Sequence, residues 1–264
     1  MPGLKPATAE RYLCSLKMAR PTLDHLFLDE IGRKELAAIA GRQGPSIATR
    51  RRDLDAVAVV LYAAEAWGWL DTAPDFKRIR RGLKERRAPI RPPSDEEIAA
   101  VLAVAPERFG QMVRFARLTG MRQEEAASLE RRSVDFQKGE AQLWETKTSR
   151  PRRVALRTIV GDALAIVDAI PPKLGCSWLF WHHDGARFAN VASRFSALCR
   201  RAGVRFRFHD LRHRFAYDWL TSGGDIYALS KHLGHANVKV TDQIYGGWCR
   251  QGPEHAPEQQ SEVG

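Results

Sequence analysis

Apolar residues recur at two different spacings along this chain. Between 46 and 70, Ile47, Leu54, Val57, Leu61 and Ala64 fall at helical spacing, which predicts one amphipathic helix over that stretch. Residues 8–84 as a whole read as helical. Further on, Ser94 followed three positions later by Glu97 is a capping box, the signature of a helix start. The same period predicts helices over 94–104, 107–118, 123–131, 159–169, 188–202, 209–221, 225–232 and 238–247. Between 133 and 156 the spacing changes. "VDF" and "AQLWET" flank the turn signal Lys138-Gly139, and "RRVAL" follows a second turn around 149–151, which predicts a small three-stranded antiparallel sheet. The expected fold class is therefore mainly α: a helical N-terminal domain, then a mostly helical second domain with that one small sheet.

Charge places the boundary between them. The segment "FKRIRRGLKERRAPIR" (76–91) holds eight basic residues against one acid, Glu85. Pro89, Pro92 and Pro93 follow or interrupt it, so part of the run is extended chain and not a solvated helix face. The expected organisation is a helical domain over 1–84, a basic linker over 85–93, a second domain over 94–250 and a flexible tail over 251–264.

The whole chain of 264 residues carries a net charge of +11, which favours a polyanionic partner. Its longest apolar run, "AVAVVLYAA", is far short of a membrane span, and the N-terminus has no signal-peptide core. Cys14, Cys176, Cys199 and Cys249 form no C-x-x-C pair, which fits a reducing cytosol and no zinc module.

Five places concentrate cations or a nucleophile. "LTGMRQEEAASL" sets Arg122 at a helix start, with Glu125 one turn on. "ETKTSRPRRV" puts Lys147 in a hairpin rich in Arg150, Arg152 and Arg153. "HDLRHRFAYDWL" places His209 and Arg212 on one helix face, with His213 beside them. "SKHLGHANV" supplies His232 and His235, and Tyr245 follows ten residues after His235. The four histidines have spacings that could hold a metal, but Arg212 in the same turn disfavours a dication. His213 and His232 read better as packing or supporting residues. Together, arginines, histidines and a lysine around a tyrosine suit a phosphodiester. Guanidinium forks can stabilise charge on a five-coordinate phosphorus, and a phenol with pKa ~10 needs help to lose its proton. Neither a metal nor another cofactor is then required.

This constellation resembles the tyrosine recombinase (phage integrase) family across essentially the whole chain. "TGMRQEEAASL" is similar to the family's T-G-x-R-x-x-E motif, "TKTSRPRRVAL" to its hairpin lysine segment and "HDLRHRFA" to its H-x-L-R-H box; "LGH" and Tyr245 follow in order. The resemblance implies a core-binding (SAM-like) domain and a catalytic domain closing as a clamp on double-stranded DNA at attachment or recombination sites. It implies that Tyr245 attacks the scissile phosphate to leave a 3′-phosphotyrosine and that Arg122 and Arg212 grip the non-bridging oxygens. Lys147 would protonate the leaving 5′-oxygen, His209 would assist proton transfer at the tyrosine, and His235 would donate to the phosphate. Glu125 and His213 would support them. DNA contacts are expected from Arg50, Arg51 and Arg52, from Lys77, Arg78, Arg80, Arg81, Lys84, Arg86 and Arg87 of the basic run, and from Arg150, Arg152 and Arg153. Arg50–Arg52 also fit a plain solvated helix face. A tetramer on DNA, DNA-bending accessory proteins, no membrane, and the bacterial cytoplasm or nucleoid are further implications. Rival readings are a type IB-like topoisomerase, a catalytically silent DNA-binding regulator and a metal-dependent nuclease. Three departures stand out. Arg214 occupies a place where members often have Thr or Ser and so adds a cation; Gly246-Gly247 argue against a long final helix; and the helical domain starts too near Met1 to leave room for an arm-site domain.

Overall fold

The computed structural model describes residues 6–84, 89–144 and 151–249, which fall into two units, Met1–Ala88 and Pro89–Gly264. The first unit holds α1 (Pro6–Leu23), α2 (Arg33–Gly41), α3 (Ile47–Ala66) and α4 (Phe76–Arg81). Ser46 caps α3 by accepting from the Thr49 backbone N–H at 3.2 Å. Leu54, Val57, Ala58 and Leu61 of α3 pack with Ala19, Leu36, Ile39 and Phe76 into one buried core. The predicted helix over 46–70 stops at Ala66. Gly68 takes φ +73°, and the Trp69 N–H bonds the Ala64 carbonyl at 2.9 Å, a glycine-terminated end that a residue with a side chain resists. Part of the basic run is helical as α4, capped by Asp75, which accepts from the Lys77 N–H at 2.9 Å.

The second unit begins with the capping box at Ser94 and Glu97, where Ser94 Oγ accepts from the Glu97 N–H at 3.2 Å and Glu97 accepts from the Ser94 N–H at 2.8 Å. Then come α5 (Asp95–Val104), α6 (Glu107–Thr119) and α7 (Gln123–Ala127). Strands β1 (Val134–Asp135), β2 (Glu140–Leu143) and β3 (Arg152–Ala155) form the predicted antiparallel sheet, with Val134 opposite Ala141 and Leu143 opposite Arg152. A second, two-stranded hairpin pairs β4 (Arg157–Thr158) with β5 (Gly161–Asp162). Helices α8 (Leu164–Asp168), α9 (Val191–Arg201), α10 (Asp210–Thr221), α11 (Ile226–Leu233) and α12 (Val238–Cys249) complete the unit.

Four helix expectations are corrected. The one over 123–131 ends at Ala127, because the Leu129 carbonyl accepts from the Leu179 N–H at 2.7 Å in a sheet-like contact. The one over 159–169 is a hairpin up to Asp162, turned at Ile159 and Val160 between Thr158 and Gly161, and helical only from Leu164. The one over 188–202 starts at Val191, after Asn190 in a left-handed conformation (φ 53°). The last runs through Gly246 and Gly247 to Cys249 instead of ending at the glycines.

Two apolar clusters position the chemistry. Met112, Val113, Phe115, Val154, Phe180, Phe195 and Leu211 belong to the main core. Phe215, Ala216, Leu220, Leu229, Leu233 and Tyr245 form another, between α10, α11 and α12. Arg214 does not add a cation to the site. Its guanidinium donates to Asp218 at 2.8 Å, to Asp95 at 2.6 Å and to the Pro93 carbonyl at 2.9 Å, tying α10 to the start of α5. No helix among the described residues is long and apolar enough to cross a membrane.

Candidate active site

Arg122 stands at the N-cap of α7. Glu125, one turn later, accepts from the Arg122 backbone N–H at 2.9 Å and from its Nη1 at 2.8 Å, so the carboxylate fixes both the chain and the guanidinium. Arg152 reaches the same carboxylate from β3, with Nη2 2.6 Å from Glu125 Oε2, and its Nη1 donates to the His232 carbonyl. Burial works to raise the Glu125 pKa, but Arg152 and Arg122 outweigh it and hold the carboxyl below its ordinary range.

Arg212 projects from the first turn of α10 and is 2% exposed. Nη1 donates to the Gly120 carbonyl at 2.7 Å and Nη2 to the Leu233 carbonyl at 2.6 Å. Both carbonyls lie at helix ends where glycine permits a left-handed turn, Gly120 itself (φ +62°) and Gly234 (φ +67°). Burial, then the nearby Arg122 and Arg152, pull the Arg212 pKa down to about 9, which leaves it charged at neutral pH. Two guanidiniums pair with the one Glu125 carboxylate and the third, Arg212, is held by carbonyls, so the cluster keeps an excess of positive charge.

The histidines divide by role. His235 Nε2 lies 3.2 Å from Arg212 Nη2, and arginine can only donate, so Nε2 accepts. The proton therefore sits on Nδ1, which donates to Thr241 Oγ1 at 2.7 Å. Burial, then Arg212, lowers the His235 pKa to about 4. In this arrangement Nε2 donates to no anion; it becomes a donor only after tautomer exchange through Thr241, or by gaining a proton. His232 is a packing residue: its Nε2–H donates to the Thr119 carbonyl at 2.9 Å and its ring stacks on Phe215 at 5.0 Å.

Tyr245 sits in α12, 1% exposed, between the rings of Trp248 at 5.1 Å and His235 at 6.5 Å. Its hydroxyl is 2.9 Å from His213 Nδ1. Burial pushes the phenol pKa up to about 12, against the opposing pull of Arg212 and Arg122. His209, expected beside the phenol, is exposed, and its ring stands edge-on to His213 at 5.0 Å. Ring stacking and hydrogen bonds thus link Tyr245, His235, Arg212 and the Gly120 carbonyl, and Arg122, two residues on in the chain, is held with Arg152 by Glu125. Lys147 lies outside the described residues, as do Arg86, Arg87 and Arg150.

Three residues took on parts that the sequence reading did not give them. Arg152, expected at a DNA surface, points inward; strand alternation carries this signal, since Arg152 shares a face with fully buried Val154 while Arg153 faces out. Thr241, one turn before Tyr245, positions His235. His213 holds the phenol. Among the other expected DNA contacts, Arg51, Arg52, Lys77, Arg78, Arg81, Lys84 and Arg153 are exposed. Arg50 instead donates to the Ala40 carbonyl at 2.9 Å, and Arg80 pairs with Asp55 at 2.7 Å.

Residues 94–247 match the model of the phage integrase family. The tyrosine recombinase XerC of Serratia marcescens is 36% identical over 135 residues, covering 48% of this chain and 43% of that protein. The integrase of Salmonella phage P22 is 29% identical over 233 residues, covering 78% of this chain and 56% of that protein. The chain thus spans about half the length of these two relatives. A crystal structure of a lambda integrase dimer bound to a COC′ core site superposes with a TM-score of 0.80 at 18% identity, covering 99% of this chain and 94% of that one, so the two share a fold.

Proposed function

This chain belongs to the phage integrase family, and on that premise we propose that it is a site-specific DNA recombinase. It cleaves and rejoins double-stranded DNA at attachment sites through a 3′-phosphotyrosine intermediate and so integrates or excises a mobile element. The observation that carries this reading is the convergence of Arg122, Arg212, His235 and Tyr245, separated by up to 123 positions in sequence: Tyr245 stacks by His235, His235 meets Arg212, Arg212 bonds the Gly120 carbonyl two residues before Arg122, and the Arg122 charge acts on both Arg212 and Tyr245. Tyr245 is the nucleophile. Arg122 and Arg212 bind the non-bridging oxygens, where fixed donors act most strongly on developing charge. Lys147 serves the leaving 5′-oxygen, His209 assists the phenol, and His235 donates to the phosphate once its Nε2 has gained a proton in place of the Arg212 contact. Glu125, with Arg152, holds Arg122 in place. The first unit is the core-binding domain, and the exposed cations of α3 and α4 lie along DNA phosphates.

Assembly as a tetramer on DNA is supported by a lambda integrase tetramer crystallised on a Holliday junction. DNA-bending accessory proteins and a bacterial cytoplasmic setting complete the reading. The test is incubation with a nicked duplex carrying the element's own attachment site, followed by a denaturing gel. Wild type should form a covalent protein–DNA band that persists in EDTA, because fixed cations do the work a metal would do. Tyr245→Phe should bind the duplex but form no band. A band formed equally by Tyr245→Phe, or abolished by EDTA, would overturn the reading.

A further inference from the structure

Resting on the recombinase reading, we propose that His213 is the proton acceptor for the Tyr245 hydroxyl in the cleavage step. Its Nδ1 lies 2.9 Å from Tyr245 Oη, with the imidazole 7% and the phenol 1% exposed. The other candidate bases of the cluster are engaged. His235 Nε2 accepts from Arg212 and its Nδ1 faces Thr241. His232 Nε2 is bound to the Thr119 carbonyl. Glu125 is occupied by Arg122 and Arg152, and Asp210 by Arg207. His209 is exposed, and its ring meets His213, not the phenol.

His213 has the required form. It faces Arg207, His209, Asp210 and Arg212 on its own side and Tyr245 across from α12; burial and the cationic neighbours among these keep it neutral. A neutral imidazole has one lone-pair nitrogen, and a protonated phenol can donate to it. Proton transfer to His213 requires that lone pair on Nδ1, with the ring proton on Nε2, since a hydroxyl 2.9 Å away can then donate to it.

During cleavage the Tyr245 Oη–phosphorus bond forms and the phosphorus–O5′ bond breaks. The phenol proton passes to His213 Nδ1, and the departing 5′-oxygen takes a proton from the general acid, the place given above to Lys147. On rejoining, the 5′-hydroxyl attacks phosphorus and gives its proton back to that same group, the Tyr245 Oη–phosphorus bond breaks, and His213 returns its proton to the leaving phenolate. An imidazolium beside a five-coordinate phosphorane is stabilised by the charge that develops with it. His209 then acts on the phenol through His213, not by direct contact.

His213→Asn is the informative variant, because its side-chain amide stands where Nδ1 stands and keeps a hydrogen bond without the basicity. Single-turnover cleavage of the nicked duplex should fall about 10²–10⁴-fold in His213→Asn and His213→Ala, while DNA affinity stays within a few-fold. Imidazole should restore part of the rate to His213→Ala. A His213→Asn rate within a few-fold of wild type overturns the proposal. Tyr245→Phe, run in parallel, isolates the parent reading: a band from that variant, or none from wild type, removes the recombinase reading and the proposal with it. A second measurement needs neither DNA nor a variant. ¹⁵N-histidine spectra of the free protein should show His213 as the Nε2–H tautomer with Nδ1 accepting. A proton on Nδ1 would refute the assignment.

Discussion

Among the described residues, Arg212 has no carboxylate in direct contact; two backbone carbonyls and His235 Nε2 hold it. Carbonyls fix its orientation without neutralising it, which leaves the charge available to an anion. A lysine ammonium lacks the planar fork that spans the Gly120 and Leu233 carbonyls. Arg212→Lys and Arg122→Gln should each cost at least ~2.7–4 kcal/mol of transition-state stabilisation, read as a loss of about 10²–10³ in single-turnover cleavage. A loss below tenfold would contradict the assigned role. Buried histidines carry a second consequence. His213, His232 and His235 are each drawn from an ordinary 6.5 to about 4, burial being the largest cause in all three. The unfolded chain therefore binds protons that the folded one refuses. Their contribution is intact above pH 6.5 and is lost as pH falls from about 6.5 to about 4, at up to ~1.4 kcal/mol per pH unit for each histidine. Urea midpoints should accordingly drop between pH 7 and pH 5, and a flat profile would contradict the neutral, buried assignment. Motifs made the gathering of Arg122, Arg212, His235 and Tyr245 legible in the sequence, whereas His209, expected to assist at the phenol, stands against His213 instead. The His213–Tyr245 hydrogen bond was not legible, because it joins two helices 32 residues apart and only their packing brings it about.

Individual elements were readable wherever one period ran unbroken between clear caps. The capping box at Ser94 and Glu97 is an example, and Ser94→Ala should lower the stability of this unit by ~1 kcal/mol in a thermal melt. Elements failed to read where a backbone conformation overrode the apolar pattern. Gly161, at φ +150°, follows the Ile159–Val160 turn that makes 157–162 a hairpin, and Gly68 ends α3 early, although the apolar spacing continues past both. Gly234 shows how closely the chain is packed at the site. A Cβ there would stand 2.6 Å from Arg152 Cδ, at a φ of +67° that side chains resist. Gly234→Ala should destabilise the unit by ~1–2 kcal/mol from the backbone alone and displace Arg152 from Glu125, cutting cleavage as well as melting temperature. An unchanged cleavage rate would show that Arg152 has no part in holding Arg122.

Across the whole molecule, the net charge of +11 predicts a strong ionic component for the proposed DNA binding. Log affinity should fall by about 0.9 per phosphate neutralised as log salt rises. Arg51, Arg52, Lys77, Arg78 and Arg81 are exposed and should each contribute to that slope when replaced by alanine. Arg50 and Arg80, engaged with Ala40 and Asp55, should contribute less. The central claim is that one phenol, delivered by α12 to the arginine cluster, becomes covalently bound to DNA. Mass spectrometry of the proteolysed protein–DNA adduct reads this directly. The 3′-phosphate remnant should lie on the peptide containing Tyr245 and nowhere else; a remnant on another residue, or an adduct that forms without Tyr245, would contradict the claim.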